Sequence, residues 1–137
     1  MTRPYILFVE DDDGVLDLGI QVLRDAGYDV VPAVSGDIAE VLLEQGLPFE
    51  VLITDIVMPG HLDGFALARR ARELRPDIRI IYATGFSGSA SVRTSDSPDG
   101  AKLIKPWQPD ELVRAVNACC PLPPKIDSAP LLSSARP

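Results

Sequence analysis

The chain has 137 residues, 46% of them hydrophobic and 24% charged, which fits one globular domain and excludes a disordered or fibrous class. No apolar run approaches the roughly 18–20 residues that span a bilayer, and Met1-Thr2-Arg3-Pro4 leads into a run of only five apolar or aromatic residues before Glu10, so neither a secretory leader nor a membrane anchor is expected and a cytoplasmic setting is. The net charge of −7 divides unevenly, with 13 acids and 2 bases in residues 1–63 but 6 acids and 9 bases in residues 64–120, which argues against direct nucleic-acid binding and suits cation binding.

Tyr5 to Val9 reads as a buried strand. Val15 to Ala26 has helical spacing through Val15, Leu18 and Val22 and through Leu16, Ile20 and Leu23, and Gly27 stops it. Tyr28 to Ala33 is a second strand. Ser35 is a candidate N-cap for a helix through Ile38, Val41 and Leu42, stopped at Gly46. Val51 to Ile53 is a third strand that ends at Thr54 and Asp55. Asp63 caps a helix with Phe65, Leu67, Ala68, Ala71 and Leu74 inward and Arg69, Arg70, Arg72 and Arg75 on a solvated face, and Pro76 ends it. Ile78 to Ala83 and Ala101 to Ile104 are the fourth and fifth strands. The residues between them, Ser87 to Gly100, show little apolar periodicity and predict a short or irregular helix. Gln108 to Cys120 closes with a helix built on Leu112, Val116 and Cys119.

This alternation predicts an α/β domain over residues 1–120, with a parallel sheet covered on both faces. Residues 121–137 break the pattern. Five of these 17 residues are proline, against eight in the preceding 120, so an extended or disordered tail is expected. The adjacent Cys119 and Cys120 read as small, partly buried apolar residues in a reducing setting. The lone His61 has no histidine to join it in holding a metal.

In an open parallel sheet, ligands bind beyond the carboxyl ends of the strands. The first strand ends in Glu10-Asp11-Asp12-Asp13, the third in Asp55, the fourth in Thr84-Gly85 and the fifth in Lys105-Pro106. Acids, a hydroxyl and an ammonium therefore converge on one edge. Carboxylates about 4 Å apart repel by about 1 kcal/mol per pair in water and about 4 kcal/mol at an effective dielectric of 20. A hard cation such as Mg²⁺ resolves that conflict, and lysine and threonine suit the oxygens of a phosphoryl group. Asp55 is placed to act as nucleophile on phosphorus. Asp12 and Asp13 sit at a helix start, where the helix dipole alone favours negative charge.

These residues also carry a family resemblance. Ile6-Leu-Phe-Val-Glu10-Asp11-Asp12, Val51-Leu-Ile-Thr-Asp55-Ile-Val-Met58-Pro59 with Asp63-Gly64, Ala83-Thr84-Gly85 and Ile104-Lys105-Pro106 occur in order. Over about residues 4–120 the chain resembles a bacterial response-regulator receiver domain, the phosphoacceptor module of two-component signalling. The resemblance implies a flavodoxin-like doubly wound sheet of five parallel strands, order 2-1-3-4-5, with five helices. It implies phosphorylation of Asp55, Mg²⁺ held by Glu10, Asp11, Asp55 and the Val57 carbonyl, and phosphoryl oxygens held by Thr84 and Lys105. It implies a sensor histidine kinase or phosphotransfer protein as donor, and output by contact with a downstream protein through the fourth helix, fifth strand and fifth helix, as a monomer or weak dimer. Enzymatic activity beyond self-phosphorylation and slow hydrolysis of the aspartyl phosphate is not expected.

Two departures stand out. The segment from Met58 to Gly64 is one residue longer than the commonest pattern, and Lys102 stands where the family usually has a switch tyrosine or phenylalanine. The run Tyr82-Ala83-Thr84-Gly85-Phe86 resembles stand-alone receivers that lack this aromatic. Val57 and Phe86 are apolar and cannot orient an attacking water, which predicts slow loss of the phosphoryl group and leaves a role as phosphorelay intermediate or phosphoryl sink beside output by protein contact. Trp107 is expected to pack where the last helix begins. Other readings are a phosphorylation-independent interaction module, a receiver cut from a hybrid histidine kinase, and a phosphoaspartyl hydrolase, the last opposed by Val57 at the position where such enzymes carry a second acid.

Overall fold

The computed structural model describes residues 5–58, 60, 62–85 and 98–121. Five strands, β1 (Tyr5–Val9), β2 (Asp29–Ala33), β3 (Phe49–Asp55), β4 (Arg79–Thr84) and β5 (Ala101–Ile104), form one sheet of order β2-β1-β3-β4-β5. Every pair is parallel. Four helices are described: α1 (Asp13–Asp25), α2 (Gly36–Glu44), α3 (Gly64–Leu74) and α4 (Pro109–Cys119). The sheet order is the one expected. The irregular helix expected within 87–100 and the tail beyond Pro121 fall largely or wholly outside the described residues.

Alternate residues of each strand face opposite layers. Leu7, Val9, Leu52, Ile80 and Tyr82 join Ala39 and Leu43 of α2 and Leu67, Ala68 and Ala71 of α3 in one core. Ile6, Phe8, Val51, Ile53, Ile81 and Leu103 join Leu16 and Leu23 of α1 and Leu112 and Val116 of α4 in the other. Trp107 is buried in the second core, as its packing reading expects.

The helix starts follow from side-chain caps. Asp12, Ser35 and Asp63 each accept a hydrogen bond from a backbone amide of the first turn, at 3.1, 3.1 and 2.8 Å. Gln108 begins α4 with a capping box, the Glu111 carboxylate accepting from the Gln108 amide at 2.7 Å. Gly27 and Gly46 follow the ends of α1 and α2 with φ of 104° and 84°, a conformation that favours glycine.

Three details differ from the sequence reading. Leu18 is 49% exposed, because the inward row of α1 runs Leu16, Gly19, Leu23. A Cβ at Gly19 would lie 2.0 Å from the Phe8 ring, so the absence of a side chain there seats the helix. On α2 the buried row is Gly36, Ala39 and Leu43, which leaves Ile38 and Val41 exposed. The arginines of α3 are not merely solvated. Arg70 bonds Glu40 and Glu44 of α2 and Glu73 of its own helix at 3.0–3.1 Å, while Arg72 and Arg75 donate to the carbonyls of Ile78 and Phe49 at 2.7 and 3.0 Å.

Candidate functional site

Strand register assembles the site. Val9 pairs with Thr54, so Glu10 follows beside Asp55. Asp55 pairs with Ala83, which places Thr84 one step beyond. Thr84 pairs with Ile104, and Lys105 is the next residue, its amide donating to the Thr84 carbonyl at 2.8 Å. Glu10, Asp55 and Thr84 are buried, at 1%, 5% and 6% exposure, and Asp11 is exposed.

Glu10, Asp11 and Asp55 each bring a carboxylate oxygen within 4.8 Å of the others. The Lys105 ammonium donates to Glu10 Oε1 and to Asp55 Oδ1, each at 3.0 Å. The second Glu10 oxygen accepts the Asp12 amide at 3.1 Å, and the Glu10 amide donates to the Ala33 carbonyl at 3.0 Å. Glu10 is thus fixed at both carboxylate oxygens and at its backbone.

The electrostatics are unbalanced. Burial, reinforced by the hydrogen bond with Glu10, pushes the Asp55 carboxyl up to about 7, although Lys105 pulls the other way. Burial would lower Lys105, but its hydrogen bonds to Glu10 and Asp55 outweigh that, hold it above its ordinary value and keep it charged. With all three carboxyls ionised, one ammonium leaves two negative charges in the cluster. A hard divalent cation taking a few carboxylate oxygens and completing its shell with water matches that donor set.

Two residues past Asp55, Val57 lies in the turn leaving β3 and is 81% exposed. The turn is closed by the Gly64 amide, which donates to the Ile56 carbonyl at 2.7 Å. Gly60 has φ of 102°. Pro59, His61 and Phe86 lie outside the described residues. A Cβ at Gly85 would meet nothing within 4 Å, so the described residues leave the space beside Thr84 open. Lys102 is half-buried and pairs in register with Tyr82, whose hydroxyl donates to the Pro98 carbonyl at 2.7 Å.

Several contributors were not read from the sequence. The Lys105–Glu10 ion pair joins residues 95 apart, and no local pattern signals it. Gly64 is needed because a Cβ there would lie 2.1 Å from the Asp55 carbonyl oxygen. Gly36 is needed because a Cβ there would lie 2.6 Å from the Leu62 carbonyl oxygen. The available signal was a glycine directly after each helix cap, Ser35 and Asp63.

Among the described residues no helix is long and apolar enough to cross a membrane. The family model for the response regulator receiver domain matches residues 6–117. The chain is 41% identical over 112 residues to the response regulator receiver protein CpdR of Brucella abortus, covering 81% of this chain and 92% of that one. It is 36% identical over 115 residues to the sensor kinase CckA of the same organism, of whose length it spans 12%. The structure of a response regulator receiver protein from Sinorhizobium medicae matches with a TM-score of 0.77 at 32% identity, over 85% of this chain and 94% of that one. Matched along most of its length in sequence and in fold, the chain belongs to the response regulator receiver domain family, whose members are phosphoacceptors.

Proposed function

We propose that Asp55 is the phosphoacceptor, that Glu10, Asp11, Asp55 and the Val57 carbonyl hold Mg²⁺, and that Thr84 and Lys105 hold the phosphoryl oxygens. The observation that carries this reading is the buried Asp55 carboxylate, 3.0 Å from a charged lysine and beside two further acids. Mg²⁺, when bound, supplies the positive charge that keeps Asp55 ionised and offsets charge on the phosphoryl oxygens. An Asp55 oxygen forms the bond to phosphorus while the P–N bond of a donor phosphohistidine breaks, and the electron pair leaves with the imidazole nitrogen. Lys105 is charged and already at the nucleophile, which suits it to a phosphoryl oxygen. Thr84 offers a hydroxyl donor one strand away. The apolar side chain at Val57 offers an attacking water no hydrogen bond.

The donor is a phosphohistidine on a kinase or phosphotransfer protein. Output is by protein contact, a reading supported by the match to nearly the whole length of CpdR.

Intact-mass spectrometry after incubation with Mg²⁺ and a small acyl phosphate, and with a phosphorylated histidine kinase domain, tests this. One added phosphoryl group is expected, absent with chelator and absent in Asp55→Asn, and persisting for minutes or longer. No gain from either donor points instead to a phosphorylation-independent interaction module, and decay within seconds contradicts the part assigned to Val57.

A further inference from the structure

Thr54 is fully buried, and the site described above makes no use of its hydroxyl. The interior positions before it on β3, Val51, Leu52 and Ile53, are aliphatic, as suits a parallel strand covered on both faces. A buried hydroxyl is tolerated when it is hydrogen-bonded. Here it donates to the carbonyl of Asp55 at 2.8 Å, and the Met58 sulfur lies 3.9 Å from the Thr54 hydroxyl oxygen. A hydroxyl has one proton. The short bond to the carbonyl takes it, and the sulfur is a weaker second contact.

These two partners stand at opposite ends of the turn Asp55-Ile56-Val57-Met58, which carries both the Asp55 carboxylate and the Val57 carbonyl. The other side of the turn is backbone against backbone. Gly64 bonds the Ile56 carbonyl at 2.7 Å and abuts the Asp55 carbonyl oxygen. Gly64 thus meets the turn from α3, and the Thr54 hydroxyl is the polar side-chain group that meets it from within β3.

We propose that Thr54 is a positioning residue, its hydroxyl fixing the Asp55 carbonyl and through it the turn that presents the proposed metal and phosphoryl ligands. The inference rests on the phosphoacceptor reading of Asp55 for its consequence, but not for its geometry. Position 54 would then select a hydroxyl over an aliphatic side chain of the same size.

The test compares wild type with Thr54→Val, which keeps the volume, and with Thr54→Ser, which keeps the hydroxyl. Thr54→Ala serves as partner to Thr54→Ser should the valine variant not fold, since these two differ in the hydroxyl alone. All are assayed where circular dichroism shows them fully folded. The readouts are Mg²⁺ affinity by calorimetry, and hydrogen exchange of the Gly64 amide in Mg²⁺-free protein. Loss of the hydroxyl is expected to weaken Mg²⁺ binding about 3- to 10-fold and to speed Gly64 exchange by a similar factor, with Thr54→Ser within about twofold of wild type. Equal values for Thr54→Val and wild type overturn the proposal. Equal loss in the serine and hydroxyl-free variants assigns the effect to packing and overturns it as well. If wild type neither binds Mg²⁺ nor accepts a phosphoryl group, the reading of Asp55 fails, and Gly64 exchange in the metal-free variants still decides the role of Thr54.

Discussion

Cys119 and Cys120 show how far a residue's chemistry is set by its neighbours. Both are partly buried at the end of α4, packed against the α1–α4 core. Burial, then the hydrogen bond from Cys120 Sγ to Glu50 Oε1 at 3.0 Å, pushes the Cys120 thiol up to about 11, although Arg79 pulls it down. Burial raises Cys119 too. A thiol whose value is higher folded than unfolded holds its proton more tightly in the fold. Its contribution to stability is therefore full below the ordinary thiol range and is lost as the pH rises through about 11. Reactivity follows the thiolate. At pH 8 Cys120 carries about a hundredfold less thiolate than an ordinary cysteine, and the greater nucleophilicity of a more basic thiolate leaves a net slowing of roughly tenfold. In a Cys119→Ala background, a small disulfide reagent is expected to modify Cys120 of the native protein about tenfold more slowly than in the urea-unfolded chain, with the rate climbing about tenfold per pH unit from 8 to 10. Equal native and unfolded rates at pH 8 would remove the assigned protection.

Among elements, α3 shows what a sequence makes legible and what it hides. Its cap, its inward Leu67, Ala68 and Ala71 and its end before Pro76 all follow from local pattern, and the structure has each of them. Its distance from the sheet does not, because that distance is set by a missing side chain meeting backbone from another element. A Cβ at Gly64 would lie 2.1 Å from the Asp55 carbonyl oxygen and 2.7 Å from the Ile56 Cα, and neither atom can rotate away. Gly64→Ala is therefore expected to cost about 2–3 kcal/mol, read from urea midpoints, by lifting the helix start off β3. Gly46→Ala is the control. It has open space but a φ of 84°, so strain alone should cost about 1 kcal/mol. A Gly64→Ala protein as stable as wild type would show that α3 seats itself by other contacts. The same physics explains α1 and α2. Their apolar residues outnumber the inward positions, and small residues, Gly19 and Gly36, choose the buried face by allowing the closest approach. The convergence of Glu10, Asp11, Asp55, Thr84 and Lys105 was legible because parallel strands deliver their carboxyl ends to one edge, whereas the strand order followed from the family resemblance and not from the strand patterns themselves. The Lys105–Glu10 pair and the Thr54 hydroxyl were not legible, because each depends on register between strands distant in sequence or on a side chain turned to its own backbone.

Across the whole molecule, two apolar cores grip one sheet, while a surplus of acid is concentrated in the first half of the chain and part of it is gathered at the sheet edge. A metal-free site of three carboxyls against one ammonium is a local conflict held in place by the cores beneath it. Stability and function therefore oppose each other at Asp55. Without metal, Asp55→Asn removes a buried carboxyl whose ionisation is disfavoured by burial and by Glu10, so this variant should melt above wild type in chelator at pH 8. Mg²⁺ should reverse the order. A ligand at a hundred times its dissociation constant adds about 2.7 kcal/mol to the folded state, which for a domain of this size raises the melting temperature by roughly 10 °C. Wild type should show that rise, and Asp55→Asn only a fraction of it. Asp11→Ala separates binding from burial. Asp11 is exposed, so its loss should leave the metal-free melting temperature nearly unchanged yet abolish most of the Mg²⁺ increment. Thermal melts of the three proteins with and without Mg²⁺ decide the matter. Equal increments in all three would mean that the cation acts on the acidic surface at large. A graded loss, with metal-free stability rising only in Asp55→Asn, would mean that the sheet edge holds charge in a strained arrangement that Mg²⁺ completes.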